Sequence, residues 1–143
     1  MDNHGLLVLG LGDSDLPEDS NIQEVSVMKN ELELYKSFID GLVGLKDGVL
    51  SKWILEKGYP NTDENKDINE LLSTLSDDQK AVLVKMVTNA RISGIHDALA
   101  YMNEKMDLEG LVISQDGLPF PYDSFDSMNY DFISRCEGDE WPE

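Results

Sequence analysis

From about Val27 to Val43 the apolar residues Leu32, Tyr35, Phe38, Ile39 and Leu42 recur at three- and four-residue spacing. That spacing predicts one buried face of an amphipathic helix, with Gly41 and Gly44 at its fraying end. Asp47 reads as the N-cap of a short helix in which Leu50, Trp53 and Ile54 face inward, closed by Gly58 and Pro60. Thr62 reads as the cap of the next, which carries Asp63 and Glu64 in its first turn, where the helix dipole favours acids. Its buried stripe is Ile68, Leu71, Leu72 and Leu75. Ser76 followed by Gln79 is a capping box, and it opens the strongest helical pattern of the chain. Leu83, Val87, Ala90, Gly94, Ala98, Met102 and Met106 form the stripe expected to be buried there. The small Ala90 and Gly94 would let another helix approach closely. Gly94 is also the expected place for a kink, because glycine costs up to about 1 kcal/mol of helix stability relative to alanine.

After Asp107 the period changes from helical to alternating. Leu111–Gln115 and Leu118–Phe120, joined by Asp116-Gly117, read as a β-hairpin, with Pro119 and Pro121 pushing the second arm to an edge. Tyr130–Cys136 reads as a third strand after a polar loop around Ser124–Ser127. The fold expected is therefore α+β: four helices, the last longest, packed on a small antiparallel sheet made of the hairpin plus one strand. Residues 28–143 form its single domain. Residues 1–27 read as a flexible extension, or as an edge strand through Leu6–Leu11, and Met28 reads as an alternative start.

Charge changes the picture. The net charge is −18, and it is unevenly placed. Residues 1–24 hold six acids and no Lys or Arg; residues 25–106 hold thirteen acids and ten bases; residues 107–143 hold ten acids and only Arg135. The balances are −6, −3 and −9, so the helical middle is nearly neutral between two anionic ends. Binding to nucleic-acid phosphates needs clustered Lys and Arg, and an anionic membrane surface would repel the chain. A basic protein partner would be attracted and steered. The segment Gly5–Gly12 is apolar but far shorter than the roughly 20 residues of a membrane span, and it lacks the basic flank of a secretory signal. One cysteine, Cys136, excludes an internal disulfide and suits a reducing cytoplasm.

The chemistry-bearing motifs fall away on inspection. Asp13, Asp15, Asp19, Asn21 and Glu24 match calcium-loop positions, yet Pro17 takes the fifth place and Glu18 the sixth, where the turn needs glycine. Asn61–Leu72 fails the same test at Lys66 and Leu72. Two histidines, His4 and His96, with Cys136 do not make a zinc set, and no sequence signature supports a Cys136–His96 nucleophile. No phosphate-binding glycine loop or nucleophile elbow is present. No cofactor is expected. Trp141, flanked by Asp139, Glu140 and Glu143, reads either as an anchor with an acidic rim or as a side chain folded back onto the sheet.

Leu108–Phe120 resembles the first hairpin of roadblock-type domains, small modules that dimerise and bind GTPase switches. The second helix and three strands that such a fold implies do not fit into Pro121–Glu143, which leaves shared hairpin chemistry. Separately, ELYKSFIDGL, GIHDALAYMNEKMD and DFISRCEGDEWPE together resemble a family of small uncharacterised bacterial proteins over most of Met28–Glu143. That resemblance implies no function.

The function expected is that of a non-enzymatic acidic binding protein of the inhibitor or immunity type, its carboxylates standing where nucleic-acid phosphates would sit on a basic partner. Asp123, Asp126, Asp139, Glu140, Trp141 and Glu143 are the expected contact residues. A homodimeric regulatory or scaffold module is the alternative, and an enzyme the third.

Overall fold

The computed structural model describes residues 17–143, with side chains from Asn30 onward. Helix α1 spans Pro17–Val43 and leads through a tight turn, Gly44–Lys46, into the short α2, Leu50–Lys52. A wider turn at Trp53–Lys57 closes with Gly58 N donating to Trp53 O at 2.7 Å. Helix α3 is Lys66–Ser73 and α4 is Asp77–Leu108. Strands β1, Ser114–Gln115, and β2, Leu118–Pro119, pair antiparallel with Ser114 opposite Pro119. Helix α5, Met128–Cys136, follows. The fold is α+β, mostly helical with one small hairpin, and α4 is the longest element at 32 residues.

Local chemistry accounts for most boundaries. Ser76 Oγ accepts from Gln79 N at 3.2 Å while Gln79 Oε1 accepts from Ser76 N at 2.9 Å, the reciprocal capping box that starts α4. In the hairpin, Asp116 and Gly117 both take positive φ, 53° and 78°, which the two-residue turn between right-twisted strands requires. Thr62 precedes the Asp63–Asn65 turn in an extended conformation but lends no side-chain hydrogen bond, and the N-cap position of α2 falls on Val49, not Asp47, with no side-chain cap.

The core lies where α5 packs between α1 and α4. Tyr35 and Ile39 of α1, Leu99 and Met106 of α4, Phe120 after the hairpin, and Met128 and Phe132 of α5 are its buried members. Phe120 stands 5.0 Å from the Phe38 ring and 6.0 Å from that of Tyr35, so the chain leaving the hairpin plugs the end of the bundle.

Five expectations need correction. Tyr130–Cys136 is helical, not a third strand: Ser127 caps it, and Met128, Asp131, Phe132 and Arg135 then share one face at helical spacing. The sheet is the hairpin alone among the described residues. The end of the expected 1–27 extension is helical, since α1 begins at Pro17. The stripe of α4 holds at Met102 and Met106 but fails at its centre: Ala90, Gly94 and Ala98 are exposed, whereas Ile92, Ile95 and Leu99 pack inward. The helix runs through Gly94 without a break, and a Cβ there would meet nothing within 4 Å. The Leu6–Leu11 strand and the first calcium-loop acids, Asp13 and Asp15, lie outside the described residues. No helix among the described residues is long and apolar enough to cross a membrane.

Candidate functional site

Helix α5 carries the groups that organise the acidic end. Its start is fixed twice. Ser127 Oγ accepts from Tyr130 N at 3.4 Å, and Asn103 Oδ1 of α4 accepts from Met128 N at 3.0 Å. Asn103 also donates to Asp107, whose other oxygen accepts from Tyr122 Oη at 2.8 Å. The loop between hairpin and α5 is thereby tied to the end of α4.

One turn into α5, Asp131 points into the core, where it is 6% exposed. Its Oδ2 accepts from the fully buried Tyr35 Oη at 2.5 Å and its Oδ1 from Asp126 N at 3.2 Å. Burial pushes the Asp131 carboxyl above its ordinary range, and the neighbouring Asp126 charge adds to that; the two hydrogen bonds pull it back without overcoming it. Burial and the same carboxylate keep the Tyr35 phenol protonated far above its usual value.

One turn further, Arg135 forms a fork onto Asp40 of α1, Nε to Oδ1 at 2.7 Å and Nη2 to Oδ2 at 3.2 Å. Its Nη1 donates to Asp139 O at 2.8 Å, which draws the tail back over the helix. There Trp141 Nε1 donates to Asp40 Oδ2 at 3.1 Å. The indole lies 5.1 Å from the Phe125 ring and 6.0 Å from that of Tyr35, with the Arg135 guanidinium 5.3 Å above it. Burial alone would raise the Asp40 carboxyl; Arg135, the Trp141 N–H and the Lys36 charge outweigh it and hold Asp40 below its ordinary range.

The loop, α5 and the tail enclose an open cavity of about 580 Å³. Phe125 and Trp141 form aromatic wall, Asp131 lies at depth, and Asp126, Asp139, Glu140 and Glu143 contribute carboxylates. Five of the six expected contact residues therefore line one cavity, while Asp123 is exposed and does not. Trp141 is half-buried against the core, folded back but also part of that wall.

The remaining candidates are held apart. His96 Nδ1 is 3.0 Å from Asp97 Oδ1, and its Nε2 is 3.4 Å from Asn129 Nδ2. The Cys136 carbonyl accepts from Lys46 Nζ, and burial raises its thiol pKa, which disfavours the thiolate. Among the described residues no group of three or more His, Cys, Asp or Glu is arranged to hold a metal ion. Sequence reasoning placed Tyr35 on the buried face but gave it no polar partner, and it missed Asp40, Asp131 and Arg135 as site residues. The available signal was Ser127 three residues before Tyr130, an N-cap that turns the segment helical and puts Asp131 and Arg135 on the face of Met128 and Phe132.

No curated protein and no solved structure matches the chain. A family model matches residues 28–143, which take in α2 to α5, the hairpin and the part of α1 that bears Tyr35 and Asp40. The chain belongs to DUF6547, a family of unknown function.

Proposed function

We propose that the protein is a non-enzymatic binding protein that takes a basic protein partner at the cavity between the α5 loop and the C-terminal tail. One observation carries the reading: Asp126, Asp139, Glu140 and Glu143 converge on a cavity walled by the aromatic rings of Phe125 and Trp141. A guanidinium or ammonium group entering it stacks on an aromatic face and meets carboxylates at the rim. Arg135 lies on the same cavity, but Asp40 pairs with it, so the ten acids of residues 107–143 stand without an opposing free base from that segment. Trp141 acts here as a fixed wall, already ordered before binding, and the carboxylates stand where phosphates would contact the partner. Inhibitors of nucleases and immunity proteins for basic toxins work in this way.

The test is calorimetric titration with an arginine-rich peptide and with a lysine-rich one, at low and high salt. The wild type is compared with a variant carrying Asn or Gln at Asp123, Asp126, Asp139, Glu140 and Glu143. Binding that falls steeply with salt and with neutralisation is the expected result, because exposed charges act mainly through long-range attraction and the on-rate. Binding indifferent to both, or none at low salt, overturns the reading.

A further inference from the structure

Asp131 is a carboxyl buried without a counter-ion. It is 6% exposed, and its oxygens accept only from Tyr35 Oη and Asp126 N. Among the described residues no Lys, Arg or His pairs with it. Neutral donors offset part of the cost of burying a carboxylate, and an opposite charge offsets more. Each oxygen keeps a second lone pair for a further donor.

The charged groups around it leave that place open. On α1, Asp40 takes the Arg135 fork, while Lys36 Nζ stands 5.8 Å over the Phe125 ring and 3.8 Å from Glu33. On α5, Arg135 lies one turn beyond Asp131, but its Nε and Nη2 are on Asp40 and its Nη1 on Asp139 O. On α4, Asp107 is bonded to Tyr122 and Asn103, His96 faces Asp97 and Asn129, and Lys105 pairs with Glu109. The loop adds Asp126, and the tail adds Asp139, Glu140 and Glu143, all acids. Every base named here is engaged elsewhere.

Asp131 nevertheless lines the open cavity of about 580 Å³, together with Phe125, Ser134 and Trp141. A cation that enters meets, at depth, an acid to which the fold gives no positive partner. The two rings limit the water around that contact, which strengthens the attraction. The rim carboxylates draw the cation in from outside, and Asp131 holds it.

We propose that the cavity seats one cationic side chain of the basic partner, a guanidinium or an ammonium, hydrogen-bonded to the Asp131 carboxylate. The proposal rests on the reading of the cavity as the partner site, and it makes binding proton-linked. Burial first, and then the Asp126 charge, hold the Asp131 carboxyl above its ordinary range. Below the folded value the acid is neutral, and an entering cation must displace its proton. Above it the acid is already charged, and no proton leaves. Affinity therefore rises with pH through the folded value, by at most about tenfold per pH unit for one linked proton.

The experiment is calorimetric titration of the full chain with an arginine-rich and a lysine-rich peptide, each in two buffers of different ionisation enthalpy. The pH series starts just above the usual carboxylate range of about 4. The wild type is expected to release a proton at the low end and none at the high end. Asp131→Asn is expected to lack that release and, at the high end, to bind at least about tenfold more weakly. Carbon-detected NMR of the Asp131 carboxyl in the wild type gives an answer that needs no variant: its titration should move to lower pH when peptide is bound. Release with either peptide supports the proposal, and the tighter of the two names the cation. Salt-sensitive binding without proton release, a carboxyl titration that peptide does not move, or a folded Asp131→Asn that binds as the wild type does overturns this proposal and leaves the rim reading standing. No binding to either peptide overturns both.

Discussion

Asp40 of α1 and Arg135 of α5 face each other as a fork across 95 positions of sequence, and the same carboxylate takes the Trp141 N–H. One acid therefore joins the first helix, the last helix and the tail. Its pKa is depressed in the folded chain, so its contribution is present above the unfolded value and lost as the pH falls through the folded one. Asp40→Asn is expected to cost about 1 kcal/mol at neutral pH, the scale of a part-exposed pair with good geometry rather than a buried one. Urea melts along an acid series check it. The two proteins should converge in stability as the pH drops below the usual carboxylate range of about 4.

Asp131 titrates in the opposite sense. Its folded pKa is raised, so the folded chain holds this proton to higher pH than the unfolded chain does. Ionising it costs stability as the pH rises through the folded value, and the cost is absent below the unfolded one. Tyr35→Phe removes the hydrogen bond that makes the buried anion tolerable. The expected loss is about 1–3 kcal/mol at neutral pH, the desolvation penalty of a poorly paired buried acceptor. That loss should shrink on acidification as Asp131 takes up its proton, whereas a simple packing defect would cost the same at every pH.

Much of this architecture was legible in the sequence, for a reason that also explains the errors. Periodicity reports which residues share a face, so α1, α3 and α4 could be read from Leu32–Leu42, Ile68–Leu75 and Leu83–Met106. A drawn stripe is only as good as its phase. Each step of four residues drifts by about 40°, and the line through Ala90, Gly94 and Ala98 ended on solvent while Ile92, Ile95 and Leu99 went inward. Tyr130–Cys136 failed differently, since Tyr130, Phe132, Ser134 and Cys136 alternate in a way that fits a strand as well as a helix. A strand would set Asp131 and Arg135 on the face opposite Phe132, whereas the helix joins them to Met128 and Phe132. The pairs Tyr35–Asp131 and Asp40–Arg135 were beyond reach, because nothing local to either partner encodes a neighbour 95 or 96 positions away. Convergence of the tail acids was legible in part, because charge density needs no register to be seen.

Asn103 gives a local test of how α5 is held. Its Oδ1 serves as a cap from another helix for Met128 N, and its amide leans on Asp107. Asn103→Ala should cost about 1 kcal/mol, the usual value of a lost N-terminal cap. Faster hydrogen exchange should be confined to the first turn of α5. A global loss of protection would mean that Asn103 supports the core through packing instead.

The tail gives the most direct test of the acidic end. Trp141 is half-buried, its ring against Phe125 and Tyr35 and its N–H on Asp40. Trp141→Ala removes both packing and hydrogen bond, and a loss of about 2 kcal/mol is expected for a large ring that is only partly covered. Trp141→Phe keeps most of the contact but leaves Asp40 one donor short, so its loss should be about 1 kcal/mol. The chain has two tryptophans, and replacing Trp53 by Phe makes emission report Trp141 alone. If the tail is part of the core, that emission should shift at the same urea concentration as the helical signal. Emission that shifts earlier, together with a Trp141→Ala variant of wild-type stability, would mean that the tail detaches on its own. The aromatic wall would then not be preformed, and a partner would have to order it on binding.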